Sequence, residues 1–440
     1  MAEIQTIAPV RHGWQGEVEI PGDKSISHRS VMFAGLGNTP VHIRHFLHAA
    51  DCLSTVGVMR ALGVDVEFLN ENELIVTGKG LHGLTEPMTV LDAGNSGTTL
   101  RLMMGLLAPQ PFLSTFCGDA SLTRRPMARV LLPLSQMGAK IYGRNANKNL
   151  PLTIVPTAEK LRGIRYESPV ASAQVKSAIL LAGLYADAPT TVTEPYVSRD
   201  HTEQMLAGFG VHLERTGTSV TVFPVEEGSY RAPDEITVPG DISSAAYFLV
   251  AGTIIEGSRL LLKNVGINPT RTGILDVLTE MGADIRLQNE RTSGGERVAD
   301  IIVASASLRG ISFGAEIMPR LIDEIPVIAV AALFAEGDTV ITGAGELRVK
   351  ETDRLHAIAE EFQKLAPGSV EEQEDGLIIH GKTEIRQAQV SSWGDHRMAM
   401  SLAVLGAAAE GVRIEEPDSV NISYPRFFSE MECLSKGGSL

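Results

Sequence analysis

The strongest constraint on this chain is a sixfold repeat hidden in it. An Ala/Gly/Leu-rich segment, a turn and a β-like segment recur as AGLGNTPVHI, GLLAPQPFLS, AGLYADAPTTVT, AGTIIEGSRLLL, AALFAEGDTVIT and GAAAEGVRIEE. Three residues before each expected strand stands a turn former: Asn38, Pro109, Pro189, Gly257, Gly337 or Gly411. They lie 71, 80, 68, 80 and 74 residues apart. Self-similarity at such a period means units that bury their apolar faces only by packing together. Short helices alternating with short strands make the fold class α/β.

A second phrase marks another helix end followed by a strand: RALGVDVEF, SQMGAKIY, GFGVHLER and TEMGADIRL, with glycines at 63, 138, 210 and 282. Glycine suits the left-handed residue that closes many helices. The fifth copy, QKLAPGSV, is degraded, and the sixth, ECLSKGG, falls at the C-terminal end. The last unit is therefore expected to borrow a strand from the N-terminal segment GEVEI, before Pro21. VEIPGDKSIS and ITVPGDISSA also match, with Pro21 and Pro239 offset by 218 residues, about half of 440. Two domains of three units each follow: residues 1–21 plus 239–440, and an inserted domain, 22–238.

Fourteen residues before each turn former lie Lys24, Asn95, Val175, Ser243, Asp323 and Arg397, where the apolar helices begin. Such residues are often plain N-caps, and Ser243 reads as one. Capping does not explain the cations. Lys24, Arg29, Arg101 and Arg397 stand in or beside first turns, where the helix dipole disfavours positive charge. An anion at those helix starts would resolve the conflict, because free N–H groups point outward there. Gly22, Gly94 and Gly97 would let backbone approach it closely. In ELRVKETDR, Lys350 and Arg354 share a face if the segment is helical, with Glu351 between them. Glu351 and Asp323 are candidate acid/base groups, since burial and neighbouring charge tune carboxylates.

The chain has 53 acidic against 38 basic residues, a net charge of −15. That balance excludes nucleic acid and anionic membrane surfaces as partners, but not small anions held by a local basic cluster. The longest apolar run, 325–335, is too short to span a bilayer, and the N-terminus lacks a signal-peptide core, so a cytoplasmic protein is expected. Cys52, Cys117 and Cys433 are far apart, with Cys117 a structural thiol rather than a nucleophile. His28, His201, His356 and His396 form no metal-ligand pattern and are expected in hydrogen-bonding or core roles. Trp14 and Trp393 read as packing residues.

PGDKSISHR, LDAGNSGTTLR, SLTRRPM, ASAQVKSAILLAGL, SRDHTE, RVKETDRL and GDHRMAM occur in order between Pro21 and Pro425. Together they closely resemble the 3-phosphoshikimate 1-carboxyvinyltransferase (EPSP synthase) family. The resemblance implies a two-domain inside-out α/β barrel of six βαβαββ units with its active site in the interdomain cleft. It implies transfer of an enolpyruvyl group from phosphoenolpyruvate to the 5-hydroxyl of shikimate 3-phosphate, releasing phosphate, without metal or organic cofactor, by a monomer. By motif match, Lys24, Ser25, Arg29, Ser172, Gln174, Arg199, Asp323 and Lys350 would hold shikimate 3-phosphate. Lys24, Gly97, Arg125, Gln174, Arg354 and Arg397 would hold phosphoenolpyruvate. Asp323 would take the hydroxyl proton, Glu351 would protonate the methylene carbon, and Lys24 would steady the leaving phosphate.

The chain departs from many relatives at 420–424, VNISY, where they carry a phosphoenolpyruvate-contacting Lys; Asn421 and Ile422 offer none. Ser172-Ala173 replaces a Ser-Ser pair and Glu346 an Asn, as in the branch that includes herbicide-tolerant enzymes. Gly97 is kept where tolerant members have Ala, which implies glyphosate sensitivity. The nearest alternative is the UDP-N-acetylglucosamine 1-carboxyvinyltransferase family, whose reactive Cys is replaced here by Ala120 in GDASLTRRP. An inactive repeat-fold binding protein and an RNA-terminal cyclase are disfavoured by the intact Lys24, Asp323, Glu351 and Arg354 and by the acidic charge.

Overall fold

The computed structural model describes residues 3–226 and 228–437. Its chain divides into two compact units: Met1–Pro21, Pro239–Thr292 and Glu296–Leu440 in one, Gly22–Val238 and Ser293–Gly295 in the other. Each has its own apolar core, so each can be stable in its own right.

One repeat shows the plan. Leu91–Asp92, the helix Gly97–Leu107, Ser114–Cys117, the helix Ala128–Gln136, Lys140–Gly143 and Asn149–Val155 follow one another as βαβαββ, with short helical turns at Leu122–Arg124 and Arg144–Asn147. The first strand pairs parallel with the second, because a helix carries the chain back between them. The last two pair antiparallel, so the sheet runs first, second, fourth, third. The same order recurs around Thr190–Thr193 and Asp338–Ile341.

The strands flanking the two domain crossings are exchanged. Gln15–Glu19 leads into the helix Lys24–Ala34 but pairs parallel with Arg259–Gly266. Glu235–Thr237 leads into the helix Ile242–Ile254 but pairs parallel with Pro40–Arg44. The expectation that GEVEI completes the last unit is therefore corrected. Ile4–Ile7 pairs antiparallel with Val412–Glu415 instead. A strand running directly into the Pro21 crossing takes a parallel place, and the vacant place beside Val412–Glu415 is antiparallel. That sheet has three strands among the described residues.

The strands begin one to five residues after the six turn formers rather than at a uniform three. The longest gap follows Pro109, where Pro111 also lacks a donor for a ladder. Gly63, Gly138, Gly210 and Gly282 all have left-handed φ, from +81° to +103°, as their place after a helix requires. Gly368 and Gly437 play that part in the degraded copies, at +79° and +76°; Gly438 lies outside the described residues.

The helices Lys24–Ala34, Gly97–Leu107 and Ala173–Gly183 are buried in one unit, and Ile242–Ile254, Ile325–Phe334 and His396–Ala408 in the other. Ile325–Phe334 is apolar all round, the pattern of a helix enclosed on every side. Such packing needs small residues at crossings. A Cβ added to Gly105 would lie 2.2 Å from the carbonyl oxygen of Ala178 on the neighbouring helix. Gly105→Ala is expected to destabilise its unit by roughly 2 kcal/mol or more through overpacking. Gly57→Ala, on an outer helix with no atom within 4 Å of the new methyl, is expected to stabilise by about 0.5–1 kcal/mol. Denaturant unfolding of the two variants checks both signs.

Candidate active site

In the unit 22–238 three core-helix starts are tied together. Asp23 caps the first by accepting from the Ile26 N–H at 2.9 Å, which offsets the positive helix end. Lys24 then extends its ammonium to Asp51 Oδ2 at 2.8 Å. Ser96 caps the second, with its hydroxyl accepting from the Thr99 N–H at 3.1 Å. Asn95 is not the cap: its Oδ1 accepts from Arg125 at 2.7 Å while its amide donates to Asp119.

Gly97 lies at the centre of this group. A methyl there would sit 2.7 Å from Arg101 Nη1 and 3.4 Å from Arg125 Nη1. Gln174, at the start of the third helix, accepts from Arg101 at 2.5 Å and donates to Thr98 at 2.9 Å. Two guanidiniums and the N-terminus of the Gly97–Leu107 helix therefore converge on one point, a geometry suited to a phosphate or carboxylate. Gly97, Arg125 and Gln174 come together as expected, and Arg101 joins them.

Arg29 turns inward. Its guanidinium donates to Thr202 Oγ1 at 2.7 Å, Ser177 Oγ at 3.0 Å and the Ser25 carbonyl at 2.9 Å. Ser172 caps the Ala173–Gly183 helix, and Arg199 is half-buried just before the helix His201–Gly208. His28 Nδ1 lies 2.7 Å from Thr55 Oγ1, and Thr99 continues that chain of hydrogen bonds to Ser96. Burial, with Lys24 and Arg29 nearby, pushes His28 well below the usual histidine value. It serves as a neutral structural link.

The other unit holds the remaining candidates in one cluster. Asp323 stands in a tight turn just before the helix Ile325–Phe334. Its carboxylate is 3.3 Å from Arg354, 3.6 Å from Lys350 and 3.9 Å from Arg397, and Arg397 also donates to its carbonyl at 3.1 Å. Arg354 reaches Glu351 at 2.6 Å and grips Asp395 at 2.7 and 3.3 Å. Arg354 is 1% exposed and Asp395 fully buried. Burial opposes both guanidinium charges. Asp395 and Glu351 nevertheless hold Arg354 above the usual arginine value, and Asp323 foremost does the same for Arg397.

Three sequence expectations change here. Lys350 and Arg354 do not share a helix, because the chain leaves a short turn at Val349 and the next helix starts at Arg354, capped by Asp353. They meet at Asp323 instead. Ser243 is not an N-cap: Asp241 caps that helix, and the Ser243 hydroxyl donates to Glu324 and accepts from Arg271. Trp14 is buried against Phe248, but Trp393 is 38% exposed, with its indole donating to Glu361. Cys117 is held in its thiol form by burial and then by Asp92, as a structural role requires. The bracing acids Asp51 and Asp395 are not singled out by the sequence: Asp51 belongs to no motif, and nothing in GDHRMAM marks Asp395 as the partner of Arg354.

The family model for EPSP synthase (3-phosphoshikimate 1-carboxyvinyltransferase) matches residues 10–431. The chain belongs to the EPSP synthase family. It is 52% identical over 433 residues to a 3-phosphoshikimate 1-carboxyvinyltransferase of Bacillus cereus, covering 98% of this chain and 99% of that one. Its structure resembles that of EPSP synthase from Acinetobacter baumannii with a TM-score of 0.86 at 41% identity, covering 100% and 99% of the two chains. The enolpyruvyl transferase NikO from Streptomyces tendae shares the fold, with a TM-score of 0.78 at 17% identity over 99% and 98% of the chains.

The buried Arg354–Asp395 pair also bears on stability. Asp395→Ala strands a buried guanidinium and is expected to cost about 3–5 kcal/mol, read by denaturant unfolding.

Proposed function

We propose that the chain transfers the enolpyruvyl group of phosphoenolpyruvate to the 5-hydroxyl of shikimate 3-phosphate and releases phosphate. The observation that carries this reading is the pair of carboxylates, Asp323 and Glu351, bonded to one buried guanidinium at 3.3 and 2.6 Å. The reaction needs a base for a hydroxyl and an acid for a carbon, and it needs both beside anionic reactants. Asp323 takes the proton from the attacking hydroxyl. Glu351, protonated, delivers a proton to the methylene carbon, and the hydroxyl oxygen adds to the neighbouring carbon. Loss of phosphate and of one methyl proton then restores the double bond.

Lys24, Ser25, Arg29, Ser172, Gln174, Arg199 and Lys350 hold shikimate 3-phosphate in this reading, with Asp323 on its hydroxyl. Lys24, Gly97, Arg125, Gln174, Arg354 and Arg397 hold phosphoenolpyruvate. Fixed cations around a departing phosphate stabilise the charge that develops there without reorganising. Arg101 belongs with the second group, on its position beside Gly97. Among residues 420–424 no cation stands in for the Lys of other members. No helix among the described residues is long and apolar enough to cross a membrane. We assign the chain to the cytoplasm, as a monomer.

Phosphate release is expected only when both substrates are present, with Glu351→Ala reduced by at least about a hundredfold. Release with UDP-N-acetylglucosamine in place of shikimate 3-phosphate overturns the assignment. Gly97→Ala is expected to raise the KM for phosphoenolpyruvate and weaken inhibition by glyphosate, because the methyl presses on Arg101. Wild-type activity unaffected by high glyphosate at low phosphoenolpyruvate contradicts that placement of the pocket.

A further inference from the structure

Beneath the residues assigned to shikimate 3-phosphate lies a charged cluster that none of the proposed steps uses. Lys176, on the first turn of the helix Ala173–Gly183, places its ammonium 3.0 Å from Glu194 and 2.8 Å from Glu203. All three side chains are 2% exposed or less. Burial alone would push the Lys176 ammonium down, but Glu203 and Glu194 overrule it and hold it above the usual lysine value. Two buried acids around one lysine are costly to enclose, and such groups persist where their bonds fix something else.

What Glu194 fixes is specific. Oε1 accepts from the backbone N–H of Ser172 at 2.8 Å. Oε2 accepts from the Ser198 hydroxyl at 2.8 Å and from its N–H at 3.4 Å. One carboxylate thus holds the cap of one helix and the loop residue next to Arg199. On the next helix Thr202, adjacent to Glu203, takes the Arg29 bond. Ser172, Arg199 and Arg29 are three of the groups assigned to shikimate 3-phosphate: Ser172 is bonded to this cluster directly, Arg199 follows the bonded Ser198, and Arg29 bonds Thr202, the neighbour of Glu203. None of the phosphoenolpyruvate cations is bonded to it in the contacts described above.

We propose that Glu194, charge-balanced by Lys176, is a positioning residue that sets affinity for shikimate 3-phosphate selectively. The inference rests on the function proposed above. Glu194→Gln keeps size but turns one acceptor oxygen into an NH2 donor and loses the ion pair. It is expected to raise the KM and the directly measured Kd for shikimate 3-phosphate about tenfold, with the KM for phosphoenolpyruvate within about twofold. Ser198→Ala, a milder change, is expected to shift the same two quantities about threefold in the same direction, and it carries the test if Glu194→Gln does not fold. Glu194→Asp keeps the charge but shortens the reach, and a selective rise there too supports positioning. Equal changes in both KM values, or none in a folded variant, overturn the inference alone. Wild-type protein that binds no shikimate 3-phosphate overturns the proposed function, and this inference with it.

Discussion

The candidate chemistry depends on one buried guanidinium. Arg354 is almost sealed from water, and a charge there persists only if nearby carboxylates compensate for its lost hydration. Asp395, itself fully buried, is the foremost of these, through two bonds. The planar fork of Arg354 leaves donors for Glu351 and Asp323 on another edge. Two carboxylates to which we assign different tasks are thereby held around one rigid group, and a lysine in place of Arg354 has no fork with which to do this.

The repeat explains why charge gathers at these places in an acidic chain. Each unit packs three core helices closely, and a crossing such as that at Gly105 has no room even for a methyl group. Their N-termini are where side chains and backbone donors meet, so functional charge collects there. Asp23, Asp241 and Asp395 cap core helices with carboxylates, Asp353 caps the helix Arg354–Leu365 in the same way, and the cations stand beside them. The net charge of −15 belongs to the chain as a whole. The cations proposed to bind substrate are a small, locally concentrated minority.

Much of this was legible in the sequence because turn chemistry and helix ends are local. The glycines at 63, 138, 210 and 282 report left-handed residues wherever they occur. Strand exchange was not legible. GEVEI alternates polar and apolar residues and IQTI has only an isoleucine at each end, and neither pattern names the partner its strand will take. Of the residues proposed for the reaction, Lys24, Gly97, Arg125, Asp323, Glu351 and Arg354 lie in motifs whose residue types match anions and proton transfer. Asp51, Arg101 as a partner of Gln174, and Glu194 emerged only from tertiary contacts, since a bracing acid has no spacing of its own.

The central claim is that Glu351 gives a proton to carbon and the resulting methyl group later loses one. The most direct measurement is the reaction run in deuterium oxide, with the product's methylene group followed by proton NMR. Deuterium entering that methylene group during turnover, and lost from the Glu351→Gln reaction, is the expected result. Product formed at the normal rate with no deuterium in its methylene group would contradict the claim, because no proton would then have been added to carbon.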